Sequence, residues 1–138
     1  MSKTFQMDFE IREELARRLE SGEYIQTTYS LKKSNEEGQM CHCYFGVLAE
    51  ILVERHPENF EWLEQDEDTT KFYVFSRNSE DPGSYAASIP GEVLVEYAGF
   101  DLKEVNYVFG VLSRANDKRT YTFKELAELT RKGILPKG

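Results

Sequence analysis

The sequence predicts a single α+β domain, spanning residues 1–138, in which about four helices pack on a small antiparallel sheet. Three observations support this prediction. The chain has 138 residues, which fits one compact domain. Hydrophobic residues make up 40% of it and aromatic residues 13%, which favours a packed core over disorder. One long segment with helical periodicity is flanked by shorter segments rich in β-branched and aromatic residues.

Residues 43–56 are predicted to form the central helix of the core. Their apolar positions cover more than one stripe of a helix, so most of its surface should be buried. The helix should end near His56, because Pro57 cannot continue it. Gly46 has no Cβ and would let another backbone approach closely. The apolar positions are Phe45, Val47, Leu48, Ala49, Ile51, Leu52 and Val53.

The other elements are indicated by their start and stop signals. A first helix is expected over residues 8–22 and a strand over residues 23–33. Residues 60–63 and 71–75 should form a β-hairpin around an acidic turn.

Residues 91–98 should form a short helix closed by Gly99, and a capping box at residues 122–125 should start a last helix. Residues 101–114 suit either a helix or a buried strand. The predicted core is Phe9, Leu15, Leu19, Phe45, Leu48, Leu52, Val93, Val108, Leu112, Phe123 and Leu126.

Net charge, apolar runs and cysteine spacing argue against several classes of function. A net charge of −8 disfavours passive binding to nucleic acid or to anionic membranes. No apolar run approaches the ~20 residues of a membrane span, and the N-terminus lacks the apolar region of a signal peptide. Cys41 and Cys43 are too close together for an ordinary structural disulfide. We therefore expect a protein of a reducing cytoplasm, without a cofactor, membrane contact or direct nucleic-acid binding.

Cys41, His42, Cys43 and His56 suggest a zinc site, but geometry opposes it. Cys43 and His56 would lie at opposite ends of one helix, roughly 20 Å apart at about 1.5 Å per residue, whereas structural zinc needs four ligands around one ion. A Cys43 nucleophile activated by the helix N-terminus alone is the remaining alternative. P-loop, GxSxG and dinucleotide motifs are missing. We therefore predict no metal site, structural thiols and no enzymatic activity.

Two polar clusters, the first within residues 24–33 and the second within residues 114–119, combine rings, amides and cations in an acidic protein. If they converge, aromatic faces could stack on a base while lysine and arginine hold phosphate. A solvated strand face and an ordinary turn would explain the same residues. Lys33, Lys118 and Arg119 also belong to these clusters. The candidate ligand-binding residues for a small anionic ligand are Tyr24, Gln26, Thr28, Tyr29, Lys32, Tyr44, Arg114, Asn116 and Asp117.

Four segments resemble a family of small tailed-phage proteins. Residues 21–32 resemble its SGxYxQGxGxLR opening, and residues 43–51 its CCLGVLCDL helix. Residues 89–101 are similar to its LPPEVxEWAGLD element, and residues 116–127 to its LNDxGxSFEEIA ending. The departures from this pattern are Tyr44 and Ala49 for cysteines, Glu50 for an aspartate, and Thr27 and Tyr29 for glycines.

The resemblance implies a phage protein in the cytoplasm of its bacterial host. The leading hypothesis is a non-catalytic protein that sequesters a host cyclic nucleotide or cyclic dinucleotide, as an anti-CBASS sponge would, and so evades host defence. Such a binder could be a homo-oligomer. The alternative is an acidic protein-interaction inhibitor or DNA mimic that acts on a host enzyme, suggested by the acidic residues between positions 58 and 68, namely Glu58, Glu61, Glu64, Asp66, Glu67 and Asp68.

Overall fold

Five helices and a five-stranded, mostly antiparallel sheet make up the described part of the chain in a computed structural model. It describes residues 3–66, 68–85 and 89–137, with the backbone alone at positions 85 and 89. The helices are α1 (Phe9–Glu20), α2 (Tyr44–Arg55), α3 (Glu92–Tyr97), α4 (Val105–Asp117) and α5 (Phe123–Lys132). The predicted α+β fold is confirmed.

The main sheet has the strand order β1-β3-β2-β5-β4. β1 runs parallel to β3, and the other neighbours are antiparallel. The predicted hairpin is confirmed as β4 and β5, and a separate two-stranded ribbon pairs β6 with β7. The strands are β1 (Ile25–Gln26), β2 (Lys32–Ser34), β3 (Met40–His42), β4 (Phe60–Gln65), β5 (Asp68–Ser76), β6 (Ser84–Tyr85) and β7 (Ile89–Pro90).

α2 is the central helix that the periodicity predicts. It is capped by Cys43 and His56, and most of its side chains are buried, including Leu48 at 0% exposure. A Cβ on Gly46 would lie 1.7 Å from the carbonyl oxygen of Leu31, so the predicted close backbone approach is confirmed. The central helix therefore packs directly against the chain that enters β2.

The predicted strand over residues 23–33 is wrong, because a turn divides it into β1 and β2. Tyr29 has a φ of 60°, in the left-handed region that no strand residue adopts. Ser30 and Leu31 are both buried, which breaks the expected alternation of side chains. The start of α2 explains why the strand is interrupted here, because the N–H of its N-cap, Cys43, donates to the Leu31 carbonyl at 3.3 Å.

The predicted core is correct except at its edges. Phe9 is 66% exposed at the start of α1, and Val93 is only half-buried. Residues 101–114, for which helix and strand were both open, lie mostly in α4. The predicted capping box is present, with Thr122 and Glu125 bonded reciprocally.

Candidate functional site

The buried amide of Asn116 joins the two predicted polar clusters. Its side-chain oxygen accepts from Gln26 Nε2 at 3.0 Å and from the Tyr44 backbone N–H at 3.2 Å. Its Nδ2 donates to the Thr27 carbonyl at 2.8 Å and to Asp117 Oδ1 at 3.1 Å. Asn116 is 1% exposed, so its amide fixes the end of α4 against β1 and the start of α2. We call this set of bonds the Asn116 hub.

Asp117 extends the hub to the turn before β2. Its Oδ1 accepts from the Tyr29 backbone N–H at 3.1 Å. The left-handed backbone of Tyr29 is unfavourable for a non-glycine residue, and the resemblance places a glycine at this position. The Tyr29 ring is 70% exposed beside the hub.

A cleft of about 330 Å³ lies on the neighbouring face of α4, and we call it the basic cleft. The described residues around it contribute three cations, one ring and no carboxylate. Tyr121 connects the cleft to the hub, because its carbonyl accepts from Gln26 Nε2 at 3.3 Å, while its hydroxyl accepts from the Lys137 backbone N–H at 3.2 Å. The lining residues are Val111, Arg114, Ala115, Lys118, Thr120, Tyr121 and Lys137.

Sequence reasoning found only part of this cleft. Arg114 and Lys118 belonged to the second polar cluster, but Tyr121 and Lys137 were not singled out. Tyr121 directly precedes the capping box and could have been noticed as a ring in a basic loop. Lys137 could not, because only the fold returns the C-terminal segment to α4.

The first polar cluster is divided by the fold. Tyr24 lines a different cavity, of about 500 Å³, where its hydroxyl accepts from Arg18 at 3.1 Å. Thr28 is half-buried in the turn. Tyr44 is a core residue rather than a surface one, since it is 0% exposed and its hydroxyl lies 2.8 Å from Thr130 Oγ1.

Lys32 is engaged in an ion cluster around Glu50, beneath α2. Its Nζ lies 3.2 Å from Glu50 Oε2, which also contacts His42 Nε2 at 3.0 Å, and Trp62 Nε1 donates to Glu50 Oε1 at 2.5 Å. Burial by itself raises the pKa of Glu50. The His42 hydrogen bond and the Lys32 charge outweigh this effect and bring the pKa down to about 2. This carboxylate therefore stays ionised and ties the sheet to α2.

The environment of Cys43 disfavours its thiolate. Burial raises the pKa of the Cys43 thiol to about 12, although backbone N–H groups at the start of α2 oppose this effect. Cys41 is also buried, and both cysteines are free. Within the described ranges, no group of three or more His, Cys, Asp or Glu residues is placed to hold a metal ion.

Another cavity, of about 660 Å³, lies between the start of α1 and the end of α2. Asp8, Glu10, Arg55 and Tyr97 are among its lining residues. The two carboxylates would repel an anion there. The basic cleft is therefore the better candidate for an anionic ligand.

Comparisons with known proteins give a family and no function. No curated protein and no solved structure matches the chain significantly. No helix in the described part of the chain is long and apolar enough to cross a bilayer. Residues 7–133 match the family described as Domain of unknown function (DUF8296). This match includes nearly the whole chain, and the protein belongs to that family.

Proposed function

We propose that this chain is a phage-encoded, non-catalytic protein that sequesters a cyclic nucleotide signal of host immunity in the basic cleft. The observation that carries the proposal is the grouping of Arg114, Lys118 and Lys137 around Tyr121 in a chain of net charge −8. The phage setting and the immune role are taken from the sequence resemblance. Sequestration needs no turnover, so the missing catalytic motifs are consistent with it.

The cleft offers the two contacts that a nucleotide requires. Arg114 can bind phosphate through two parallel N–H groups, while Lys118 and Lys137 act as point charges. The Tyr121 ring supplies a flat surface on which a base can stack. A volume of about 330 Å³ is at the lower end for small-molecule sites, so one nucleotide unit would enter and the rest of a cyclic ligand would remain at the mouth.

The Asn116 hub supports this binding by fixing the cleft in advance. Gln26 donates both to Asn116 and to the Tyr121 carbonyl, which limits movement of the loop that carries the ring. A preformed site loses less conformational entropy when ligand binds. The hub therefore acts as a positioning element behind the cleft.

The test is isothermal titration calorimetry with a panel of cyclic di- and trinucleotides at low salt. Arg114→Ala combined with Lys118→Ala should weaken binding at least about tenfold, because each charge-assisted contact contributes about 1.5–3 kcal/mol. The matched control is Lys103→Ala with Lys124→Ala, which removes the same charge from exposed positions outside the cleft. The proposal fails if no panel member binds the wild type at about 1 mM, or if both double variants lose affinity equally.

The alternative function, an acidic protein-interaction inhibitor or DNA mimic, is favoured by one observation. This observation is the exposure of Glu64 and Asp66 at the tip of the β4–β5 hairpin. Glu61 does not add to it, because it pairs with Arg77 at 2.5 Å. Glu67, also part of this acidic segment, lies outside the described residues. A pull-down from host lysate separates the two functions: a stoichiometric, salt-sensitive protein supports the alternative, and a recovered nucleotide supports sequestration.

A further inference from the structure

The strand register divides the side chains of the main sheet between two faces. On the inner face, which packs against α2, Phe60, Val74 and His42 are buried. We call the opposite side the outer face. The register places Ile25, Lys33, Cys41, Glu61, Leu63, Lys71, Tyr73 and Phe75 on it, and of these Cys41 is buried.

The outer face is more apolar than a solvated face needs to be. Phe75 is 43% exposed and Ile25 is 41% exposed, while Leu63 and Tyr73 are half-buried directly opposite each other. A sheet packed on one side normally carries polar residues on the other. Apolar side chains that line both sides of one strand pair indicate a second covering layer.

We infer that the outer face packs against the same face of a second copy of this chain, forming a dimer with two-fold symmetry. The charges on the face favour this occupant. Arg77 pairs with Glu61 at 2.5 Å, and Asp68 lies 3.9 Å from Lys71. Hydrogen bonds from Thr70 are the main cause of the lowered pKa of Asp68, and the nearby positive charges of Lys71 and Lys33 lower that pKa further.

The three charged residues that the register places on this face, Lys33, Lys71 and Glu61, sum to +1. Because the chain carries −8 in total, the rest of it carries −9. A nearly neutral apolar face lets two copies meet without the repulsion that their acidic surfaces would produce. Nucleic acid would require a strongly positive face, and a basic protein a negative one.

The size of the face limits the affinity. Three of its five strands are only two or three residues long. With neighbouring strands about 4.8 Å apart, the outer face has an area of roughly 400 Å² per copy. A total of roughly 800 Å² is below the usual range for stable complexes. We therefore expect a weak, reversible dimer.

Sedimentation equilibrium from about 5 to 500 μM tests the inference, because a reversible dimer changes its apparent mass with concentration. The wild type should shift from monomer to dimer, and Phe75→Asp should stay monomeric. Phe9→Asp is the matched control, since Phe9 is 66% exposed but lies on α1. It should dimerise like the wild type.

Ile25→Asp tests the same face from another strand, in case Phe75→Asp does not fold. Circular dichroism and the urea midpoint establish that each variant is folded. A wild type that stays monomeric at the highest concentration overturns the inference, as does a dimer that persists in a folded Phe75→Asp or Ile25→Asp variant. None of these outcomes depends on the basic cleft, because its residues lie on α4 and the segments after it.

Discussion

Replacing Asn116 with alanine should destabilise the fold more than any ordinary helix-surface substitution. The side chain makes four hydrogen bonds from a position that is 1% exposed. Its removal leaves the Tyr44 N–H and the Thr27 carbonyl without these partners. Gln26 and Asp117 are only partly buried, so water can replace their lost contacts.

The expected loss follows from the two buried backbone groups. Each unsatisfied buried group costs about 1–3 kcal/mol, so Asn116→Ala should lower the free energy of unfolding by about 2–6 kcal/mol. Asn116→Asp should also destabilise, because a carboxylate cannot donate to the Thr27 carbonyl and would lie next to the Asp117 carboxylate.

Urea unfolding followed by circular dichroism measures this loss, with Asn106→Ala as control. Asn106 lies on the same helix but is exposed, so its substitution should change the free energy of unfolding by no more than about 0.5 kcal/mol. A double-mutant cycle with Gln26→Ala should give a coupling energy of about 0.5–3 kcal/mol. If Asn116→Ala is as stable as the control, the hub does not hold α4 in place and the reasoning is refuted.

Gly46→Ala should lower the free energy of unfolding, measured in urea, by several kcal/mol, because the new Cβ would meet the Leu31 carbonyl. Gly110→Ala is the control: its Cβ would meet only a flexible arginine side chain, so it should leave that free energy unchanged or raise it by up to about 1 kcal/mol. Glu50 has a depressed pKa in the folded state, so its contribution of about 2–3 kcal/mol should be present above pH 4.5 and disappear as the pH falls towards 2. Acid titrations of stability should show this loss in the wild type and not in Glu50→Gln, and equal acid sensitivity of the two proteins would contradict the assignment. Cys43, with its pKa raised to about 12, should react with a thiol reagent at pH 8 only after unfolding, and rapid reaction in the native protein would argue against a buried thiol.

The sequence by itself determined the local elements of this protein. The apolar spacing of residues 43–56, the proline after them and the capping box at residues 122–125 act within one element, and each gave the correct helix. The hairpin of β4 and β5 followed from two adjacent apolar segments around a polar turn. Such signals are reliable because the interactions behind them join residues close in the chain.

Only the tertiary structure decided what happens between residues distant in sequence. Residues 23–33 have strand composition, yet the turn at Tyr29 forms because Asp117 binds its N–H and α2 binds the Leu31 carbonyl. Asn116 was predicted as a ligand contact, but its oxygen accepts from Gln26 and from the Tyr44 N–H, and its Nδ2 donates to the Thr27 carbonyl. Lys137 likewise reaches the basic cleft only through the fold. Such a contact between distant residues depends on packing energies that no local sequence pattern encodes.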